Sequence, residues 1–360
     1  MFAVIGLGQA GSNIAEEAQK QGYLSGAINY SQKDLDSVNV SHKLRLLGSE
    51  GVGKKRDEAI QLFQAQWEDA LSFIKDNFAN AQVIAFTFSL SGGSGSGISP
   101  ILLEVALNTM PDSTFIALPI IPEVAESVSA QINTLKAFEE LSQLSIATFP
   151  IDNQQTRNVH PSIGKNMLLE ITNKSAISLL DTISSYTDKH SKNGNFDKED
   201  LLTILNNPGI GLISEVCIAA LNQSLTLTPE SVAEKVRHSW SNSVFTPIES
   251  NHISKAAIIF DGQESLMEYI RHDLIFTPMP LELFDGNYHE HTGKIVSIIT
   301  GLPWSLKRLY DIEKSINTRQ EQLVTSGLDS SFQSKVSSLN QQQKNTDRKS
   351  VLDILSKYKH

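Results

Sequence analysis

Seven residues, Ser91-Gly92-Gly93-Ser94-Gly95-Ser96-Gly97, decide how this chain is read. They stand between an apolar run ending at Leu90 and a stretch of helical pattern starting near Ile98. Four glycines among them permit backbone conformations closed to other residues and let several N–H groups converge, while Ser94 and Ser96 add hydroxyl donors. Gly-Ser linkers usually join domains. This one joins two apolar neighbours of a single sheet, which suits an anion-binding loop.

Upstream, Gly6-Leu7-Gly8-Gln9-Ala10-Gly11 follows the first apolar run and opens a helix, so its N–H groups and the helix dipole can face phosphate. A dinucleotide-binding unit would also need Asp or Glu at the end of the second strand. That strand ends Asn29-Tyr30-Ser31, which argues against NAD or FAD. Gly48-Ser49-Glu50-Gly51-Val52-Gly53-Lys54 satisfies the first seven positions of a P-loop, but Lys55 follows where a hydroxyl must reach magnesium. It is either an ordinary turn or a loop offering phosphate its backbone. Two glycine loops at one edge of a parallel sheet make a cradle for a polyphosphate.

The first half alternates short apolar runs with amphipathic stretches, the pattern of strand-helix units on a parallel sheet. Strands are expected at 2–5, 26–29, 43–47, 83–90, 114–121 and 146–151. Ile60, Phe63, Trp67, Leu71, Ile74 and Phe78 recur at helical spacing, as do Val128, Ile132, Leu135, Phe138 and Leu141. A further helix begins near Asn173, carries Ile177, Leu180 and Ile183 and runs toward Lys189, where a polar stretch ends it. Another helix and strands at 256–260, 274–277, 281–284 and 294–300 indicate a second, mixed α/β unit. A long helix is expected from Trp304 to about Leu323, with Leu309, Ile312, Ile316 and Leu323 on one stripe. The expected divisions are 1–172, a nucleotide-binding domain; 173–194, central helix and linker; 195–302, a second domain; 303–324, a C-terminal helix; and 325–360, a flexible basic tail. No internal repeat is visible.

With 40% hydrophobic and 19% charged residues over 360 positions, the composition is that of a globular protein with more than one packed unit. The single Cys217 fits a reducing compartment and, within Glu-Val-Cys-Ile-Ala, is expected to be a small buried hydrophobe. The N-terminus has no basic flank and no later run is long enough to span a membrane, so a cytoplasmic protein with no direct membrane contact is expected. Net charge is −10, unevenly distributed: Pro303 to His360 carries 10 Lys and Arg against 6 Asp and Glu, or +4, leaving −14 on the rest. An acidic body argues against nonspecific nucleic-acid binding, so little direct DNA binding is expected; the basic end suits an acidic partner or DNA. His289-Glu290-His291 puts two imidazoles on one face of an extended segment, but with no third ligand nearby it is read as a surface turn, and no protein metal site is expected.

The pair Gly6-Leu7-Gly8-Gln9-Ala10-Gly11-Ser12-Asn13 and Ser91 to Gly97 resembles the first and fourth nucleotide loops of the tubulin and FtsZ superfamily, with Ser91 in place of the usual first glycine of its signature. The order of elements agrees to about residue 323, including the strand ending Ile299-Thr300-Gly301-Leu302-Pro303. The resemblance implies an α/β fold of the tubulin/FtsZ type: a Rossmann-type parallel-sheet GTPase domain, a central helix, a second mixed α/β domain, a C-terminal long helix and a tail. It implies GTP or GDP with Mg2+ as the ligands. Residues Gly8, Gln9, Ala10, Gly11, Asn13, Asn29, Gly51, Gly53, Ser91, Gly92, Gly93, Ser94, Gly95 and Ser96 would surround the nucleotide. Asn153, in Ile151-Asp152-Asn153, and Asn173 match the family's base-contacting positions, where an amide offers both donor and acceptor. Glu126 matches the ribose-contacting acid, while Leu169, one turn before Asn173, replaces a common stacking aromatic.

Asn195-Phe196-Asp197-Lys198-Glu199-Asp200 resembles the superfamily's catalytic acid loop. A carboxylate with an ordinary pKa of about 4 is a poor base, so Asp200 and Asp197, with Asn195, are expected to orient and polarise water. The bland alternative is that they cap the following helix, which they can also do. In the family this loop serves the nucleotide of the neighbouring subunit, so hydrolysis implies a head-to-tail filament. The tail from Thr325, with six Lys and Arg against three Asp and with Leu352, Ile354 and Leu355 near its end, resembles the plasmid- and phage-borne TubZ branch. That branch implies DNA segregation through a TubR-like adaptor on centromere DNA. A solvated tail without partner, a phage tubulin that positions replicating DNA, an FtsZ-like division protein and a nucleotide-binding module that never polymerises remain alternatives.

Overall fold

The computed structural model describes residues 2–219, 227–248 and 252–325, with side chains to 319. β1 (Phe2–Leu7), β2 (Leu24–Asn29), β4 (Val83–Ser89) and β5 (Thr114–Ile121) are apolar runs buried almost throughout, as strands covered on both faces must be. With β3 (His42–Arg45), β6 (Ala147–Thr148) and β7 (Ile151–Asp152) they form the parallel part of the sheet. Its mixed continuation holds β8 (Gly209–Cys217), β9 (Lys255–Asp261), β10 (Glu282–Tyr288) and β11 (Lys294–Leu302), with β11 antiparallel to β8 and β9, and β10 parallel to β9. β8 joins the two parts by pairing with β6, so a single sheet runs β10-β9-β11-β8-β6-β5-β4-β1-β2-β3, with β7 on β5. Residues Met1–Ile316 cluster as one compact unit, and the sheet is continuous across the expected division at 194/195.

Helices α1 (Gly8–Lys20), α2 (Gln32–Asp36), α3 (Arg56–Phe63), α4 (Trp67–Phe78), α5 (Ser94–Thr109) and α6 (Val128–Leu141) connect the parallel strands. α7 (Asn153–Val159) leads into the central helix α8 (Lys165–Tyr186), followed by α9 (Lys198–Leu205), α10 (Pro229–Asn242), α11 (His272–Ile275) and α12 (Lys307–Thr325). None of the described helices is long and apolar enough to cross a membrane. The part of the expected tail past Thr325, and Leu352, Ile354 and Leu355 with it, lies outside the described residues.

Several elements differ from the sequence reading. The apolar stripe at 60–78 is two helices, because the chain turns at Gln66, whose side chain bonds the backbone of Leu47. The expected strand at 146–151 is split in two: Pro150 has no N–H to continue the ladder, although the Phe149 N–H still reaches the Ala117 carbonyl at 2.8 Å. α8 starts at Lys165, so Asn173 lies in its third turn rather than at its start; buried Leu168 extends the apolar face upstream. α5 starts at Ser94, making the serine-glycine stretch its first turn. Residues 274–277 are not a strand. The chain makes a helical turn, His272–Ile275, which buries Ile275 and Phe276, and a short apolar run cannot distinguish the two conformations. β8 and α10 were not read at all. Cys217 is exposed, contrary to expectation, because Glu215 and Cys217 share the face of β8 that turns to solvent at the strand's end.

Candidate functional site

At the carboxyl ends of β1, β4 and β5 the loops enclose a cleft of about 630 Å3, within the usual range of small-molecule sites. The loops meet backbone to backbone. Gly8 has φ +71°, a left-handed conformation suited to glycine, and a Cβ there would stand 3.1 Å from the Gly95 nitrogen. A Cβ on Gly93 would stand 2.4 Å from the Gly53 carbonyl oxygen, so only glycine lets the loop before α3 close on the loop before α5. Buried Asn133, on α6, ties these two loops, its Nδ2 donating to the Lys54 carbonyl at 3.0 Å and the Gly92 carbonyl at 3.1 Å.

The cleft's floor is poor in negative charge. α1 and α5 both begin here with no side-chain cap and no acid in the first turn, whereas α6, α7, α9 and α10 are capped by their own side chains. The first N–H groups of α1 and α5 can therefore serve an anionic ligand. The rim holds the charges. Glu126 receives Lys54 and Lys165, each at 3.3 Å, and these ammoniums hold its carboxyl below the usual range although burial alone would raise it. Lys54 also donates to Ser127 at 2.9 Å. Asn29 donates to Asp34 at 3.0 Å, so an acid that does not terminate β2 arrives at the cleft from α2.

Of the residues expected around a nucleotide, the cleft brings together Gly8, Gln9, Ala10 and Asn13 from α1, Asn29, Gly51 and Gly53, Ser91 to Gly95, Glu126, Asn153 and Asn173. Gly11 and Ser96 do not line it. Gly11 is a packing glycine, since a Cβ there would lie 2.1 Å from the Thr87 carbonyl oxygen of β4. Ser96 is fully buried and donates its hydroxyl to the Gly92 carbonyl at 2.5 Å, which stiffens the loop from behind. Leu169 lines the cleft one turn from Asn173. The sequence reading missed Asp34, Glu123, Lys165 and Asn166 as lining residues, none of which was marked by a motif, and read Lys54 only within a loop that was either a turn or a backbone phosphate contact.

Two features suit a nucleobase. The Asn153 side-chain oxygen is buried without a hydrogen-bond partner, a costly state that a donor on a base edge would relieve. Its neighbour Asp152 caps α7 through the Gln154 N–H at 2.9 Å and is clamped by Arg308 of α12, whose Nε lies 3.2 Å away. Burial pushes the Asp152 carboxyl up, and Arg308 opposes that shift. The same guanidinium donates to the Pro122 carbonyl at 2.5 Å, holding together the strand ends that carry Asn153 and Glu126.

Asn195, Asp197 and Asp200 are absent from the cleft's lining. They flank Phe196, which is fully buried, while Asn195 and Asp197 are exposed. Asp197 caps α9, accepting from the Glu199 and Asp200 N–H groups at 2.9 and 3.0 Å, and Asp200 accepts the Asp197 N–H at 3.1 Å. The capping alternative is therefore realised. It does not exhaust the loop, because an ionised carboxylate offers about four lone-pair sites. Burial, with the nearby Asp197 charge, pushes the Asp200 carboxyl above the usual range. Asn195 accepts the Ser191 N–H at 2.5 Å.

The expected surface turn at His289-Glu290-His291 is anchored by Asp261, fully buried at the end of β9. Asp261, Glu290 and His291 are the one His/carboxylate trio close enough for a metal among the described residues. Lys189 already fills the cation's place there, 3.6 Å from Asp261 and 2.5 Å from Glu290.

Residues 2–161, which contain every glycine loop of the cleft, match the model of the Tubulin/FtsZ family, GTPase domain. Over these residues, somewhat less than half of its length, the chain is similar to the tubulin/FtsZ GTPase domain. Its match to the tubulin-like protein TubZ of Clostridium botulinum C phage is 27% identical over 157 residues, covering 41% of this chain and 44% of the relative. The tubulin-like protein CetZ of Pyrococcus horikoshii is 28% identical over 171 residues, covering 45% and 47%. The chain thus spans about half the length of these relatives. The fold extends further than the sequence match: a GTPγS-form protofilament structure of TubZ from Bacillus thuringiensis serovar israelensis superposes with a TM-score of 0.75 at 15% identity, covering 90% of this chain and 94% of that one. The likeness of fold therefore includes the second half of the sheet as well as residues 2–161.

Proposed function

We propose that this protein is a GTPase that assembles head to tail, each subunit holding GTP in its own cleft and hydrolysing it only when the acid loop of a neighbour covers that cleft. The observation that carries this reading is the separation of the two halves of the chemistry: the cleft is furnished for a triphosphate and a base, yet Asn195, Asp197 and Asp200 line no part of it. The GTPγS protofilament of the structurally similar TubZ supports assembly. Uncapped helix ends and glycine amides would hold the phosphates, and Asn153 and Asn173 the guanine edge. Magnesium would enter with the nucleotide, bound by phosphate oxygens and water, since no His/carboxylate trio stands at the cleft among the described residues. Asp200, assisted by Asp197, would orient a water whose oxygen attacks the terminal phosphorus as the bond to the bridging oxygen breaks. Such positioning is most of what phosphoryl transfer needs.

Asp200→Asn tests this directly. It keeps the cap's shape and should bind GTP and pellet with it normally, while phosphate release drops roughly 100-fold, the usual scale for losing one acid-base group. Undiminished release removes Asp200 from the reaction.

The filament's use is proposed to be segregation of plasmid or phage DNA through a TubR-like adaptor. What favours it over other filament roles is the basic tail, six Lys and Arg against three Asp from Thr325, on a body of opposite charge. Deletion of residues 340–360 should leave GTP turnover intact and abolish capture of adaptor-coated DNA. Full capture by the truncated protein assigns docking elsewhere.

A further inference from the structure

The acid loop is seated on the end of β10 by contacts that capping does not require. The Asn287 N–H donates to the Gly194 carbonyl at 3.0 Å, just before Asn195. Two residues on, the Phe196 N–H donates to the Tyr288 hydroxyl at 2.9 Å, in a buried bond. That hydroxyl donates in turn to the carbonyl of Tyr186, the last residue of α8, at 3.2 Å. The Tyr186 phenol donates to Asp261 at 3.0 Å, and the two tyrosine rings pack with centroids 5.1 Å apart. One phenol, 2% exposed, thus links the end of the central helix, the edge of the sheet and the peptide between Asn195 and Asp197.

We infer that Tyr288 is a positioning residue for hydrolysis: its hydroxyl fixes the Phe196 amide, and through it the direction in which Asn195, Asp197 and Asp200 are presented to a neighbouring subunit. The inference rests on the reading of this loop as the acid supplied in trans. Its physical basis is that the Asp197–Asp200 cap orders the loop relative to α9, which Leu201, Ile204 and Leu205 bury against the sheet, but provides no contact to the end of α8. The Tyr288 bond references the loop to α8 and β10. Small displacements matter because misplacing a reacting group by about 1 Å can cost on the order of 100-fold in rate. The hydroxyl has no alternative duty in the cleft, since Tyr288 is not among its lining residues.

The test compares Tyr288→Phe with Tyr23→Phe in the full-length protein. Tyr23 also bonds α8, donating to Asp181 at 2.6 Å, but its partner lies more than a helical turn before Tyr186, so it reports the cost of losing a phenol bond to the same helix. For Tyr288→Phe, turnover per polymerised subunit at saturating GTP should fall roughly three- to tenfold, the scale of one hydrogen bond, with GTP affinity of the monomer and the critical concentration within about twofold of wild type. Tyr23→Phe should leave turnover unchanged. Unchanged turnover in Tyr288→Phe overturns the inference; so does a fall matched by an equal loss of GTP affinity or assembly, or one reproduced by Tyr23→Phe, because either marks a general weakening of the fold. Asp200→Asn measured alongside separates the two levels: if it too retains full turnover, the acid-loop reading fails before the Tyr288 inference is reached.

Discussion

Asp200 caps α9 and, in the proposed reaction, also orients water, two duties with opposite electrostatic demands. As part of a helix cap its charge is welcome near the α9 N-terminus, and the Asp197 N–H lowers its pKa; burial and the neighbouring Asp197 charge win and raise it. A carboxyl raised in the folded state ionises at a cost, so above its folded pKa the native protein carries a small penalty that is absent at low pH. The catalytic sign is the reverse, because only the ionised form polarises water. Turnover at saturating GTP and full assembly should therefore collapse on acidification with a midpoint above the value of about 3.9 of free aspartate. In Asp200→Asn the residual rate should show no such limb. A wild-type midpoint at or below that of free aspartate contradicts the assignment. The cap of α9 was legible in sequence because Asn195, Asp197 and Asp200 fall within six residues just before an apolar helical pattern. Asn133 and Tyr288 were not, since a lone Asn within an apolar helix and a lone Tyr ending a strand carry no local signal; only the fold brings them to Lys54 and Phe196.

Among elements, the long apolar strands and amphipathic helices announced themselves, with Thr114–Ile121 and Val128–Leu141 falling where the periodicity put them. The pattern failed where tertiary pairing replaces length. β6 and β7 are two residues each and exist because β5 offers them a partner, while α8 gains two turns upstream of Asn173 by burying Leu168. The start of α12 shows what such long-range docking does for the site. Arg308 reaches back to Asp152 and Pro122, spanning more than 150 residues of chain to brace the two strand ends next to Asn153 and the rim residue Glu126. Arg308→Ala leaves Asp152, 1% exposed, without its counter-charge, and breaking a buried pair by removing one partner typically costs about 3–5 kcal/mol. Denaturant unfolding should show a loss of that order, together with weaker GTP binding, because the Asn153 end of the cleft loses its brace. A loss below about 1 kcal/mol with unchanged affinity means that the α12 contact is ornamental to the site.

For the whole molecule, the sheet is continuous from the glycine loops to the seat of the acid loop, yet the cleft and the loop do not meet within one chain. The two parts of the sheet are joined where β6 pairs with β8. In the proposed reading, completion by a second copy is a heterologous contact, which repeats rather than closes. The kinetic consequence is specific. If each active centre needs two chains, phosphate release per subunit must rise with protein concentration, faster than linearly in total rate, until most subunits are in polymer, and then become constant. Mutations at Tyr288 or Asp200 lower the plateau without moving the concentration at which it is reached, whereas a change at the contact surfaces moves that concentration and leaves the plateau. Measured from nanomolar to micromolar protein at fixed saturating GTP and magnesium, a specific activity that stays flat throughout means that one chain completes its own active centre.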